Sequence, residues 1–298
     1  MEARCRRQGS AVISRRFARW FALAWACGLL ALTTLAHAAE TLATLTMQQG
    51  KASVIRGASR LEATPGARLM AEDIIETADA TALLRIEFDD GKLLDLGPAT
   101  RVMVSPRWTT SPGTNGALAY VLDGWVKLSR GESKASTTTL LASPSLDVSA
   151  ASSAVVLHMH GSDAEAFAES GKVMLLANTR AKAGRPAEVH LSPGQFLARH
   201  GDEPATVTAR PSSAFIQNVP GAFMDSLSAR AALFKGKNLS LTATSERLTY
   251  ADVQAWLDAE PRIRQRFTTR WKPVDSTWIV ASEMSSVQIR DTLKSLLA

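Results

Sequence analysis

The side chains able to do chemistry are few and scattered. Asp89 and Asp90 form an adjacent carboxylate pair. Such a pair could shuttle a proton or hold a cation, but no third acidic ligand stands at a matching spacing. An Asp ahead of Gly91 is also what a tight turn uses. His158 and His160 flank Met159. Alternate residues of a strand share a face, so the two imidazoles could present themselves together to copper or zinc. His190 and His200 would join them only if the fold brought all four close, and a solvent-facing strand explains the pair equally well. No metal and no cofactor are assigned.

Established catalytic signatures are missing. The 298 residues contain no G-x-S-x-G elbow, H-E-x-x-H helix, P-loop or G-x-G-x-x-G. Two carboxylates far apart in sequence would suffice for a glycosidase, so these absences do not disprove catalysis. The expectation is nevertheless a protein that is not an enzyme. Trp108, Trp125, Trp256, Trp271 and Trp278 are too dispersed to suggest a sugar-stacking platform.

The most concrete binding candidate is basic. Arg262, Arg264, Arg266 and Arg270 surround Ile263, Phe267 and Trp271, which recur four apart. That spacing predicts an amphipathic helix opening at Pro261. The arginines could meet anionic lipid headgroups as a peripheral membrane contact, a phosphorylated glycan or an acidic protein. The plainer alternative packs the apolar trio on the body and leaves the arginines in water, some paired with Asp258 or Glu260.

The N-terminus reads as a leader. Six arginines between Arg4 and Arg19 precede an apolar run, Trp20 to Leu35, and then Ala36-His37-Ala38. This is the layout of a cleavable signal peptide over residues 1–38, so the mature protein is expected in the periplasm. The apolar run is short for a membrane anchor and is relieved by Thr33 and Thr34. Of 34 basic and 28 acidic residues, six and one lie in residues 1–38, leaving 28 against 27. A mature chain so near neutrality has no general footprint for nucleic acid. Both cysteines, Cys5 and Cys27, also fall in the leader, which excludes disulfides and thiolate chemistry from the remainder.

From Thr41 to Arg210 short apolar runs alternate with turn glycines. Thr81–Phe88 alternates as a half-buried strand and is followed by Asp90-Gly91, a two-residue hairpin signal. Asp123-Gly124 separates Leu118–Leu122 from Trp125–Leu128 in the same way, and Gly50-Lys51 and Ser170-Gly171 introduce further strands. The pattern predicts an antiparallel all-β body. The loop composition of residues 109–116 divides it into halves at 41–108 and 117–210. Residues 211–220 have a linker's composition. Beyond them the period changes. Thr249 to Asp252 suit a helix cap, Pro261 ends that helix, and a last amphipathic helix is predicted over 285–297, within an extension spanning 220–298.

The stretch from Gly50 to Trp108, with Asp90-Gly91 and Gly97-Pro98, resembles the periplasmic domain of the FecR family. Residues 142–148, Gly171-Lys172-Val173 and Leu191-Ser192-Pro193-Gly194-Gln195 fit its later pattern. Residues 150–156 depart from it, lacking the usual Gly-Thr. The extension from Pro220 to Trp271 is similar to tails of proteobacterial FecR-like proteins. The resemblance implies a twisted antiparallel β-sandwich or β-roll with a small helical C-terminal region. It also implies a non-enzymatic envelope protein acting in binding or signalling through contacts with an envelope protein or receptor. About 19 residues precede the apolar run, too few for the cytoplasmic anti-sigma segment of the family's regulators. The alternative expectation is a periplasmic module for cell-wall polysaccharide or peptidoglycan.

Overall fold

The computed structural model describes residues 41–106, 116–130, 140–178, 187–237, 239–259, 263, 271–274 and 277–280. The leader lies outside the described residues. So do Arg262, Arg264, Arg266 and Arg270, Phe267, Trp108 and the helix expected over 285–297.

Turn glycines cut the chain into short strands. The first nine are β1 (Thr41–Gln49), β2 (Ala52–Arg56), β3 (Ser59–Glu62), β4 (Arg68–Met70), β5 (Ile74–Thr77), β6 (Leu83–Phe88), β7 (Lys92–Leu96), β8 (Arg101–Val104) and β9 (Ala119–Arg130). Eight follow: β10 (Leu141–Ala142), β11 (Leu146–Ala151), β12 (Ala154–His160), β13 (Asp163–Ser170), β14 (Val173–Ala177), β15 (Ala187–Leu191), β16 (Phe196–Arg199) and β17 (Thr206–Thr208). With a later strand, β18 (Thr242–Arg247), they form one strongly curled sheet with two arms. Arm A runs β4-β1-β6-β7-β9-β12-β13-β16-β17. Arm B runs β18-β3-β2-β5-β8-β9-β10-β11-β14-β15. Neighbours in both arms are antiparallel except β9 and β10. The expected fold class, mainly β and antiparallel with small helices near the C-terminus, is the one observed.

β9 belongs to both arms. Ala119–Asp123 pairs with β8, whereas Val126–Arg130 pairs with β7. Asp123-Gly124 is therefore not the hairpin expected from the sequence but a bend inside a continuous strand. Its flanks find different partners instead of each other. Gly124 has φ +93°, and a Cβ there would fall 2.5 Å from Thr100 Cα and 2.7 Å from Ala99 O. Only glycine fits. The β6–β7 turn also differs: Glu87 faces Leu93, so the loop holds three residues, Asp89-Asp90-Gly91, with Gly91 at φ 82°.

A hairpin unit repeats. β5 and β8 pair in arm B while β6–β7 between them pairs in arm A, and β11, β14 and β12–β13 do the same. Leu45, Leu84, Ile86, Leu94, Val126 and Leu157 of arm A share one apolar core with Val54, Ile75, Val102, Val148 and Leu175 of arm B. Each such side chain contributes roughly 1.5–3 kcal/mol on burial.

β6 is buried on both faces rather than half-buried. Leu84, Ile86 and Phe88 point into the core, and Leu83, Arg85 and Glu87 lie under the chain from 211 to 234. That segment was expected to start as a linker, yet it forms a strap. Ser212 Oγ accepts the Phe215 amide at 3.0 Å and caps a short helix, α1 (Ser213–Asn218). Phe215 is 3% exposed and packs against Phe196, Trp125 and Phe167, with ring centroids 4.9, 5.2 and 6.2 Å away. The 3-10 turn Gly221–Met224 adds Phe223 to the same cluster.

The second helix, α2 (Tyr250–Leu257), carries the capping box predicted at Thr249 and Asp252. Val253, Trp256 and Leu257 cover Ile55, Ile74, Met103 and Tyr120 on the outer face of arm B. Ile263 is helical and buried in that cluster. Trp271 is not on the predicted helix. It opens β19 (Trp271–Val274), which pairs with β20 (Thr277–Val280). Pro273 cannot donate to a helix and holds its predecessor extended, which the four-residue spacing concealed. Trp271 is buried, and its indole N–H donates to Gly57 O at 3.0 Å. Among the described residues no helix is long and apolar enough to cross a membrane.

Candidate functional site

The carboxylate pair is divided between two cations. Asp89 accepts Arg68 at 2.7 and 3.0 Å, and Asp90 pairs with Lys92. Both serve the hairpin tip. The histidines are also separated. His158 stacks on Trp125, its neighbour on β9, with centroids 3.9 Å apart, and its Nδ1 lies 2.9 Å from Glu165. His160 is exposed, and its ring centroid is 6.5 Å from that of His158. His200 sits 3.2 Å from Asp163, whose carboxyl is held below its ordinary pKa by the Gly201 amide first and His200 second. His190 lies on arm B and contacts Glu188 at 2.8 Å. Among the described residues no group of three His, Cys, Asp or Glu is arranged to hold a metal.

Pairing places a row of polar residues across the outer face of arm B. Glu62 of β3 faces Ser53 of β2, Ser53 faces Glu76 of β5, Glu76 faces Arg101 of β8, and Arg101 faces Asp123 of β9. Opposed residues of an antiparallel pair share a face, so the row is a shelf. The next row, Ile55, Ile74 and Met103, is apolar and lies under α2. Beyond the cover of α2, the shelf opens into a groove of ≈520 Å³. Gln48, Lys51, Arg60, Glu76, Arg101 and Thr244 contribute to its walls.

Arg60 ties the groove together. It reaches Ser53 Oγ at 3.2 Å, Glu76 at 3.4 Å and Asp252 at the start of α2 at 2.8 Å. Arg101 lies 3.8 Å from the second oxygen of Glu76 and is half exposed. Glu76 has a raised pKa. Burial is the largest cause; Arg60, Arg101 and the Trp256 indole N–H oppose it, and the Asp252 charge adds to it. Gln48 Nε2 donates to Gly50 O at 3.0 Å, whereas among the described residues no donor reaches its buried Oε1. The site thus offers two guanidinium groups, the Lys51 ammonium and amide and carboxylate acceptors. It suits a polar ligand carrying both donors and negative charge.

Sequence reasoning did not single out Arg60, Glu76 or Arg101. The strand period assigns each a face, but only the pairing of β3, β2, β5 and β8 brings them together. A second, apolar cavity of ≈400 Å³ lies between the arms, lined by Leu128, Leu140, Val173 and Met174, with Lys92 and Lys172 also on its wall.

Searches against family models and curated proteins found no match to this chain. A solved structure described as "a putative anti-sigma factor from Parabacteroides distasonis ATCC 8503" is distantly similar. Identity is 11%, the TM-score is 0.37, and the match covers 70% of this chain and 97% of that one. So slight a likeness says nothing of ligands or activity.

Proposed function

We propose that this chain is an exported, non-enzymatic FecR-like protein of the cell envelope, acting in binding or signalling by seating a polar segment of a partner protein in the groove of arm B. Export to the periplasm rests on the arginine-rich leader and its Ala36-His37-Ala38 site. One observation carries the binding reading: the groove assembles Arg60, Glu76 and Arg101 from three strands beside Lys51, at a place that α2 leaves open. Mixed charge on a rigid sheet discriminates between partners more than it adds affinity. Gln48 Oε1, without a donor among the described residues, favours a second reading, a glycan whose hydroxyl would donate to it.

The test is photo-crosslinking from position 244 in cells, with Arg101→Glu as the control. One protein recovered by the parent, and lost with Arg101→Glu, supports the reading. Equal recovery by both sinks it. Binding of peptidoglycan fragments by the purified protein, without a protein crosslink, selects the glycan instead.

A further inference from the structure

The strap continues into a loop that sets exposed leucines among basic residues. Leu233 is 64% exposed and Leu239 is 42% exposed. Arg230, Lys235 and Lys237 are exposed between and beside them, and none has an ion pair among the described residues. No Asp or Glu occurs from 226 to 245. A ten-residue stretch of sequence therefore joins two exposed leucines to three positive charges that have no ion pair among the described residues.

The loop is mounted firmly. The amides of Arg230 and Ala231 are held by the Glu87 carboxylate at 2.7 and 2.8 Å. The 3-10 turn Ala231–Phe234 packs on β1, and Lys237 lies 5.9 Å over the Phe234 ring. Phe234 and Leu239 both close on Gly66, where a Cβ would meet Phe234 Cδ1 at 2.6 Å. The leucines are presented from a fixed scaffold, so little ordering entropy opposes their burial elsewhere.

We propose that residues 230–239 dock this protein on an anionic phospholipid surface. The leucines enter the boundary between headgroups and acyl chains while Arg230, Lys235 and Lys237 stay at the phosphates. A water-soluble protein partner would satisfy the leucines but would need a matching acidic patch. A bilayer supplies both chemistries at once, and basic residues flanking exposed apolar ones are what interfacial binding uses. This surface shares no residue with the groove.

The experiment is co-sedimentation of the protein recovered from the periplasm with vesicles of phosphatidylglycerol and phosphatidylcholine, against phosphatidylcholine alone, at 50 and 500 mM salt. Binding to the anionic vesicles that weakens with salt is expected. Lys235→Ser/Lys237→Ser lowers partitioning roughly 30-fold at the lower salt, and Leu233→Ser lowers it about tenfold. These three positions are exposed, and an unchanged melting temperature verifies that the variants fold. Absence of binding by the parent overturns the proposal. So does binding that survives in folded loop variants, or that disappears only when Arg262, Arg264, Arg266 and Arg270 become Gln.

Discussion

Glu87 and Arg230, 143 positions apart, meet where the strap crosses β6: Glu87 Oε1 accepts the Arg230 amide at 2.7 Å. The other oxygen takes the Ala231 amide at 2.8 Å, and Thr46 Oγ1 donates to Oε1 at 2.8 Å. A buried strand carboxylate thus serves as a cap for irregular backbone. Glu87→Ala should cost about 2–3 kcal/mol, since three donors lose their acceptor. It should also open residues 226–241 to limited proteolysis. A cleavage pattern identical to that of the parent protein would refute the latch.

Arg85 and Asp95 form a bidentate pair at 2.6 and 2.7 Å under the same strap, and Arg85 donates to Leu227 O at 2.7 Å. Both side chains are almost wholly buried. Asp95→Asn should therefore lose about 3–5 kcal/mol, as breaking one side of a buried pair does, while Arg85→Met/Asp95→Leu recovers most of it. Urea titration measures both. A double variant no more stable than Asp95→Asn would contradict the pairing energetics.

Gly124→Ala should be among the most damaging single-methyl additions in the chain. The strand bend needs a positive φ, and the added Cβ would meet the backbone of Ala99 and Thr100 rather than a yielding side chain. A loss of about 3 kcal/mol or more is expected. Gly161→Ala, at φ +60° with open space around it, is the comparison and should cost about 1 kcal/mol. Similar melting temperatures for the two variants would remove the distinction.

Glu76 predicts a pH dependence. Its folded pKa is raised above the unfolded value, so the folded state holds the proton more tightly. Its contribution is most favourable below the unfolded carboxylate pKa, and stability falls as pH rises through the raised folded value. Glu76→Gln removes that part of the slope. Denaturant midpoints from pH 4 to 8 should show a flatter profile for Glu76→Gln; parallel profiles would mean that burial does not control this group.

Local chemistry made much of the β body legible. Gly50, Gly91 and Gly171 each adopt positive φ at a turn, and the cap at Thr249 and Asp252 stands where its spacing put it. What covers a strand was not legible. Arg85 and Glu87 alternate with apolar neighbours and read as the open face of a half-buried strand. The strap hides them because Phe215 anchors a helix of only six residues, too short to leave a period. The Asp123-Gly124 bend shared its chemistry with a hairpin, and only the choice of partner strands separates the two. The groove depends on contacts such as Arg60 to Asp252, 192 positions apart, which no local pattern encodes.

The covers of both arms come late in the chain. A ribosome or a translocation pore releases Phe215, Trp256 and Trp271 after every strand from β1 to β17. Until then Leu83 and Trp125 on one side, and Ile55 and Ile74 on the other, lack the aromatic side chains that complete their clusters. A stalled or clipped product would be sticky on two opposite sides, and its survival would depend on escort factors that the finished molecule no longer needs.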